Sequence, residues 1–346
     1  MNIVFVHFLS KPPKYLTLNI ERTIKLFPEH RVFLITDLDQ SNFKIKGLNY
    51  QKYKKEENWI KLENFLTHDK TFRRNFWFLS VVRFLALASF MQEKDGAILH
   101  IESDVMISAD FPFELLSDLE SEFAFPIVNE YQGIASCLYI KNSNSAEYLR
   151  DLTLIEAEKN PKTTDMHILR VLSKVNRDVF QILPSAPLCK QEIVNDDEMF
   201  YENKKAISYF KGVFDGVDIG MFLFGQDPRN KRGFTTVRKP TPGAYLDVSK
   251  QSLTMMDNRD FPYIYDLISQ QMIPIYTLHI HCKNRDLFKL TRSRSIMSKA
   301  VDNSKNQPKT EFYFLVFVNS LKASLVRRFK LKSKKLNVLS IKQRFV

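Results

Sequence analysis

Glu102 and Asp104 are the residues whose types and spacing promise chemistry most directly. They follow the apolar run Ala97, Ile98, Leu99 and Ile101, interrupted only by His100, and they precede Val105, Met106 and Ile107. Such a run reads as a buried β-strand that ends in a pair of acids. Carboxylates are rarely buried alone, because taking a charge out of water is expensive. Two of them at the end of a core strand therefore need a cation. A hard divalent ion carrying a phosphate-bearing ligand meets that need. The plainer reading is a capped turn, and the apolar flanks weigh against it.

Three other groups fit around this pair. Arg83 is the lone charge in the apolar stretch Phe76–Met91, which reads as a largely buried helix. A buried guanidinium requires a carboxylate or phosphate, and Glu102 or Asp104 would supply one. The alternative is an arginine that snorkels to the surface. His279-Ile280-His281-Cys282-Lys283 ends a late strand over Ile273–His281, and alternation puts His279 and His281 on one face. An imidazole would complete a Mn2+ site and Lys283 would hold a phosphate. Two ordinary half-buried histidines are the bland alternative. Asp165 opens a helix over Thr164–Val175, capped by Thr163 or Thr164, and the helix dipole alone explains an acid there.

The elements that must position these groups follow from the apolar periodicity. Asn2–Phe8 reads as a strand, Tyr15–Phe27 as a helix and Arg31–Ile35 as a second strand ending at Thr36-Asp37. Strand, helix and strand at short intervals predict a parallel sheet. Asn49–Asn58 is polar and reads as a loop. Glu122–Val128, Ile134–Ile140 and Val179–Leu183 read as strands, and Ser145–Lys159 as a helix. The stretch Gly212–Gly243 reads as irregular.

With 346 residues and 44% apolar content, the chain can bury a substantial core in one or two domains. Its cysteines, Cys137, Cys189 and Cys282, lie far apart, which argues against a zinc site or disulfide framework and for a reducing compartment. Met1–His7 reads as a first strand and not as a signal peptide. The net charge of +12 is concentrated at one end. Residues 283–346 carry 17 Lys/Arg and 3 Asp/Glu, a net of +14, so the remainder is close to neutral.

Taken in order, these pieces resemble nucleotide-sugar glycosyltransferases of the GT-A fold. The matching pieces are Phe76–Leu87 with Arg83, Ile98–Ile107 as a DxD-type motif written Glu-Ser-Asp, Gly133–Lys141, Asp165–Leu169, and His281-Cys282-Lys283. Their order is similar to that of the retaining galactosyl- and glucosyltransferases that include glycogenin, over about residues 1–285. The resemblance implies a Rossmann-like mixed α/β sheet flanked by helices, with a lid at about 190–260. It implies that Arg83 braces the metal motif and that Glu102, Ser103 and Asp104 hold Mn2+ (or Mg2+) and the nucleotide. Asp37 would face the base or ribose, Asp165 the sugar or reacting centre, His281 would be the third metal ligand, and Lys283 would contact the diphosphate. The chain departs from the pattern in two places: the first motif acid is Glu, and the Gly-x-x-Lys-Pro-Trp ending after the histidine is absent.

Phe214–Gly220 and Phe224–Asn230 set Asp215, Asp218 and Asp227 among aromatics and turn formers. This segment reads as an acceptor-binding lid with Asp215 or Asp218 on sugar hydroxyls, or as an Ω-loop held by Asx-turns. Asp165, Asp215 and Asp218 are the candidate carboxylate bases for an inverting path. The expected reaction moves a sugar, with UDP-sugar as the donor class, to a hydroxyl of a glycan or lipid-linked acceptor. Residues 286–346 read as a basic amphipathic extension with a surface-seeking segment over Phe312–Val346, suited to anionic lipid. That places the protein in the cytoplasm, peripheral on the inner face of a membrane. Nucleic acid is the second candidate partner, and no nucleic-acid-binding motif supports it. A binding module with a structural acid pair and a metal-dependent phosphohydrolase are the competing readings.

Overall fold

A computed structural model describes residues 1–8, 11–175, 177–187, 197–225, 244–246, 248, 251–257, 259–266 and 270–305. The chain opens with β1 (Asn2–His7), α1 (Lys14–Leu26), β2 (Arg31–Thr36), β3 (Leu48–Lys52), α2 (Glu57–Phe65) and α3 (Phe76–Glu93). It continues with β4 (Ile98–Ile101), β5 (Val105–Ile107), α4 (Phe113–Ser117), β6 (Phe123–Asn129), β7 (Gln132–Gly133), β8 (Cys137–Ile140), α5 (Ser143–Lys159) and α6 (Asp165–Val175). Then come β9 (Phe180–Leu183), α7 (Asp197–Phe210), β10 (Val213–Phe214), α8 (Asp218–Phe224), β11 (Ser252–Thr254), β12 (Tyr263–Asp266), β13 (Gln271–His279) and α9 (Leu290–Lys305).

The main sheet runs in the order β3-β2-β1-β4-β8-β6-β7, with β9 beside β6. β1, β2, β3 and β4 are parallel, and β8 is antiparallel to β4 and to β6. This is the mixed α/β sheet flanked by helices that the sequence leads one to expect. Its strand order reverses between β1 and β4: β1 feeds outward to β2 and β3, and the chain then returns to β1's other side. Crevices at the carboxyl ends of strands beside such a reversal are where α/β sheets bind ligands. Glu102 follows the last residue of β4 at that edge.

One local expectation is corrected. Asn49–Asn58 is not a loop; it contains the edge strand β3 and the start of α2. β3 has no fully buried position, with Asn49 and Lys52 exposed, and carries Asn49, Gln51 and Lys52, the polar content that protects a sheet edge from pairing with other chains. The strand expected to end in the acids does so, β4 stopping at Ile101 directly before Glu102. β4 belongs to the main sheet, whereas β5 pairs antiparallel with β13 in a second sheet of order β10-β13-β12-β11. The acids therefore occupy the turn where the chain crosses from one sheet to the other.

α3 is 18 residues long and apolar enough to cross a bilayer, yet 67% of it is buried within the fold. It packs chiefly on α5 and α2, which makes it the core helix that its all-round hydrophobicity implies. α9 also belongs to the body, with Met297 and Val301 buried. The basic segment 306–346 lies outside the described residues.

Candidate metal centre

The turn carrying the acids is held from α1. Asn19 Nδ2 donates to the Ser103 carbonyl at 3.2 Å and to the Val105 carbonyl at 2.7 Å. One turn along the helix, Arg22 donates to the Ile107 carbonyl at 2.8 Å and pairs with Asp260. From the other side, the Glu102 N–H donates to the Ser136 carbonyl at 3.1 Å. The backbone of the turn is thus fixed by buried polar side chains, leaving the Glu102 and Asp104 carboxylates available to other partners. Asn19 and Arg22 were not anticipated as site residues: on sequence alone they are two polar positions in an amphipathic helix.

Behind the turn, Arg83 reaches up from α3. Its Nη1 contacts Glu102 Oε1 at 2.5 Å, its Nη2 contacts Asp165 Oδ2 at 2.5 Å, and Ser80 Oγ donates to Asp165 Oδ1 at 3.0 Å. Burial alone would lower the guanidinium's pKa, but Glu102 and Asp165 together hold it raised. Arg83 does not snorkel; it braces the motif acid as expected. Asp165, in contrast, is turned toward Arg83 and Ser80, where it positions the arginine. Burial pushes its carboxyl upward against the pull of Arg83.

β13 brings the third donor. Pairing of β13 with β5 sets His279 opposite Val105, and the Ile280 N–H donates to the Asp104 carbonyl at 2.7 Å. His279 Nε2 then lies 3.7 Å from Glu102 Oε2 and 3.6 Å from Asp104 Oδ1. Its other ring nitrogen, Nδ1, is 2.7 Å from the Gly216 carbonyl and donates to it, so Nε2 is the nitrogen presented to the acids. Glu102, Asp104 and His279 form the one such donor group found among the described residues, with ligand atoms all within 4.8 Å of one another. Ligand atoms around an octahedral ion at about 2.1 Å stand ~3–4 Å apart, the spacing seen here. Two carboxylates with one imidazole suit Mn2+, and an imidazole anchored through its far N–H to a backbone carbonyl is how metal-binding histidines are oriented. The residues present fit a divalent metal.

The donor group thus contains His279 where the resemblance implies His281. His279 is still in register with β5, whereas the chain turns immediately after it, with the Lys283 N–H donating to the Ile280 carbonyl at 2.9 Å. His281 lies in that turn and stacks on His279, ring centroids 3.9 Å apart. Lys283 closes the site: its Nζ is 3.3 Å from Asp104 Oδ2.

The charges tune one another. Burial works against the Asp104 carboxylate, yet Lys283 and then His279 hold it well below the ordinary carboxylate range. Burial likewise opposes the Glu102 carboxylate, and Arg83 and His279 together bring its pKa below the ordinary value. His279 would lose its proton easily from burial alone; Asp104 and Glu102 reverse this and raise it to about 9. His100, two residues before Glu102, is pushed down to about 3 by burial and donates from Nδ1 to the Val4 carbonyl, so it is a neutral core residue.

Asp215 and Asp218 stand differently from expectation. Asp215 is buried, and its carboxylate accepts from the N–H groups of Ile219 at 3.0 Å, Gly220 at 2.7 Å and His279 at 3.0 Å. It clamps the start of α8 to the end of β13, so it is a positioning residue for His279 and not a base on a lid. Asp218 is buried in the first turn of α8, where the helix dipole favours an acid. The stretch expected to be irregular, Gly212–Gly243, contains β10 and α8, and Phe214 and Ile219 are fully buried. Of the expected lid, residues 190–196 and 226–243, with Asp227, lie outside the described residues. Asp37 sits at the carboxyl end of β2, two strands from β4 on the edge that carries the acids, roughly 10 Å across the sheet. Ser103 is half-exposed at the tip of the acid turn.

Protein-family models and curated proteins yield no match to this chain. Among solved structures it is similar to a galactosyltransferase, LgtC, in complex with donor and acceptor sugar analogs, at TM-score 0.41 and 12% identity over 59% of this chain and 82% of that one. It is similar to the apo glycosyltransferase GlyE of Streptococcus pneumoniae at TM-score 0.36 and 16% identity, over 53% of this chain and 44% of that one. It is also similar to mouse xyloside xylosyltransferase 1 at TM-score 0.35 and 8% identity, over 58% of this chain and 92% of that one. Likeness at this level leaves the chemistry to be argued from the site.

Proposed function

We propose that this protein is a metal-dependent glycosyltransferase that moves a sugar from a nucleotide-sugar, of the UDP-sugar class, to a hydroxyl of a glycan or lipid-linked acceptor. One observation carries the reading: Glu102, Asp104 and His279 converge beside the reversal of strand order, with Arg83 behind them and the Lys283 ammonium in front. The sequence resemblance to GT-A enzymes points the same way. A divalent ion held by Glu102, Asp104 and His279 would offset charge on a departing diphosphate. Arg83 keeps Glu102 ionised and aimed, and Gly216 and Asp215 hold the His279 ring and backbone in place. Lys283 supplies an ammonium for a phosphate oxygen, and Asp37 stands far enough along the edge to meet a ribose or base. Asp165 acts through Arg83. The basic segment 306–346 would hold the protein on the inner face of a membrane, beside a lipid-linked acceptor.

The test is a thermal-shift panel of nucleotide-sugars with Mn2+, on the wild type and on Asp104→Asn. Mn2+ together with a UDP-sugar is expected to raise the melting temperature of the wild type by several degrees and to leave the variant unmoved. Absence of any Mn2+-dependent nucleotide shift in the wild type would overturn the reading.

A further inference from the structure

The two oxygens of Asp104 face different partners. Oδ1 looks toward His279, and Oδ2 lies 3.3 Å from the Lys283 ammonium. An ion bound by Glu102, Asp104 and His279 would share the Asp104 carboxylate with that ammonium. In a buried site, repulsion between two cations on one carboxylate is several times stronger than in water. Arg83 cannot yield to relieve it, because it is buried and tied to Glu102 and Asp165. Lys283 can. Its backbone is locked in the left-handed region, φ 53°, by the turn closed on Ile280, and Asn284 after it caps the next turn by accepting from the Asp286 N–H at 3.1 Å. The side chain rises from this rigid anchor past Tyr15 of α1, with its ammonium 5.4 Å from the ring centroid, and keeps some exposure to solvent. A four-carbon stem on a fixed base lets the ammonium swing while the metal ligands stay in place.

We infer that Lys283 is an exchangeable counter-ion: it holds Asp104 until a diphosphate draws the ammonium away, so that divalent metal and nucleotide diphosphate bind cooperatively. This rests on the proposed donor class. With no phosphate present, metal and ammonium compete for one carboxylate and metal binding is weak. With a diphosphate present, Lys283 changes partner, Asp104 belongs wholly to the metal, and each ligand tightens the other by the same factor. The lysine would thus set the order in which the site fills, in addition to contacting phosphate.

The experiment titrates Mn2+ calorimetrically into the wild type, Lys283→Met, Lys283→Gln and Lys283→Arg, each without and with saturating UDP. The wild type is expected to bind Mn2+ weakly alone and about tenfold or more tightly with UDP. Lys283→Met and Lys283→Gln are expected to bind Mn2+ alone about fivefold or more tightly than the wild type, and to gain less from UDP than the wild type does, the direct attraction of metal for diphosphate remaining. Lys283→Arg, which keeps the charge, should stay weak for Mn2+ alone. If the neutral variants bind Mn2+ alone no better than the wild type, while UDP still tightens Mn2+ in the wild type, the counter-ion role is overturned and the donor reading stands. If UDP and Mn2+ show no coupling in the wild type, the donor reading and this inference fall together.

Discussion

Arg83 serves two buried carboxylates at once, and that makes it the most exacting residue in the centre. Replacing it with Met leaves Glu102 and Asp165 facing each other without their shared cation, a loss of about 3–5 kcal/mol for breaking a buried pair. Lysine would not restore the bridge, since a point ammonium cannot reach both acids in a planar fork. Urea denaturation should show a clearly lower midpoint for Arg83→Met and for Arg83→Lys; an unchanged midpoint for either would show the bridge to be dispensable. His279 gives the pH dependence. Its folded pKa is raised from 6.5 to about 9, so its contribution to metal-free stability is complete below pH 6.5 and is lost as pH rises through about 9. Metal binding has the opposite sign, because Mn2+ must displace the proton on Nε2. Mn2+ affinity in the presence of UDP should therefore climb from pH 7 to 9 by up to about tenfold per unit, and a flat profile would remove His279 from the ligand set.

At the scale of elements, the site depends on two close contacts made by helices. α8 approaches β13 so closely that a Cβ on Gly220 would stand 2.1 Å from the His279 carbonyl oxygen. Gly220→Ala must push α8 off Asp215 and His279, at about 1–3 kcal/mol for overpacking. The readout is a lower melting temperature together with weakened Mn2+ binding, and a variant that loses neither would show the contact to be soft. Asn19→Ala removes both hydrogen bonds from α1 to the acid turn and strands buried carbonyls, a loss of about 1–3 kcal/mol. Chemical denaturation should register it even though the substitution favours helix. Much of this was legible in the sequence where apolar periodicity is strong: β1, α1, β2, α3, β4 and α5 stand within a residue or two of their expected bounds. β3 was not legible, because an edge strand carries polar residues on purpose. α8 was not, because Gly216 and Gly220 look like loop breakers until one sees that they allow close approach. The pairing of β5 with β13 was beyond reach, since no local pattern says which distant strand will lie beside a given one, and that pairing alone decides between His279 and His281.

For the whole molecule, the distribution of charge separates the body from its end. Residues 306–346 carry ten Lys/Arg and one acid. Truncation after Lys305, at the end of α9, should abolish binding to anionic liposomes, each basic residue near the surface contributing about 1 kcal/mol. It should spare Mn2+-dependent hydrolysis of a nucleotide-sugar, and loss of that hydrolysis would place the segment within the catalytic fold.

The long-range strand pairing also bears on how the molecule is made. Domains fold as they leave the ribosome, and long-range pairings form last because closing a large loop is entropically costly. Glu102 and Asp104 are translated well before His279 and Lys283, so a nascent chain holds the acid turn against Arg83 with neither imidazole nor ammonium opposite it. The second sheet cannot close until β13 emerges. A chain cut off before β13 has two of the three candidate donors, Glu102 and Asp104, and an open strand edge at β5, the kind of unpaired edge that makes an incomplete chain prone to aggregate. β13, the last strand among the described residues, thus also completes the donor group.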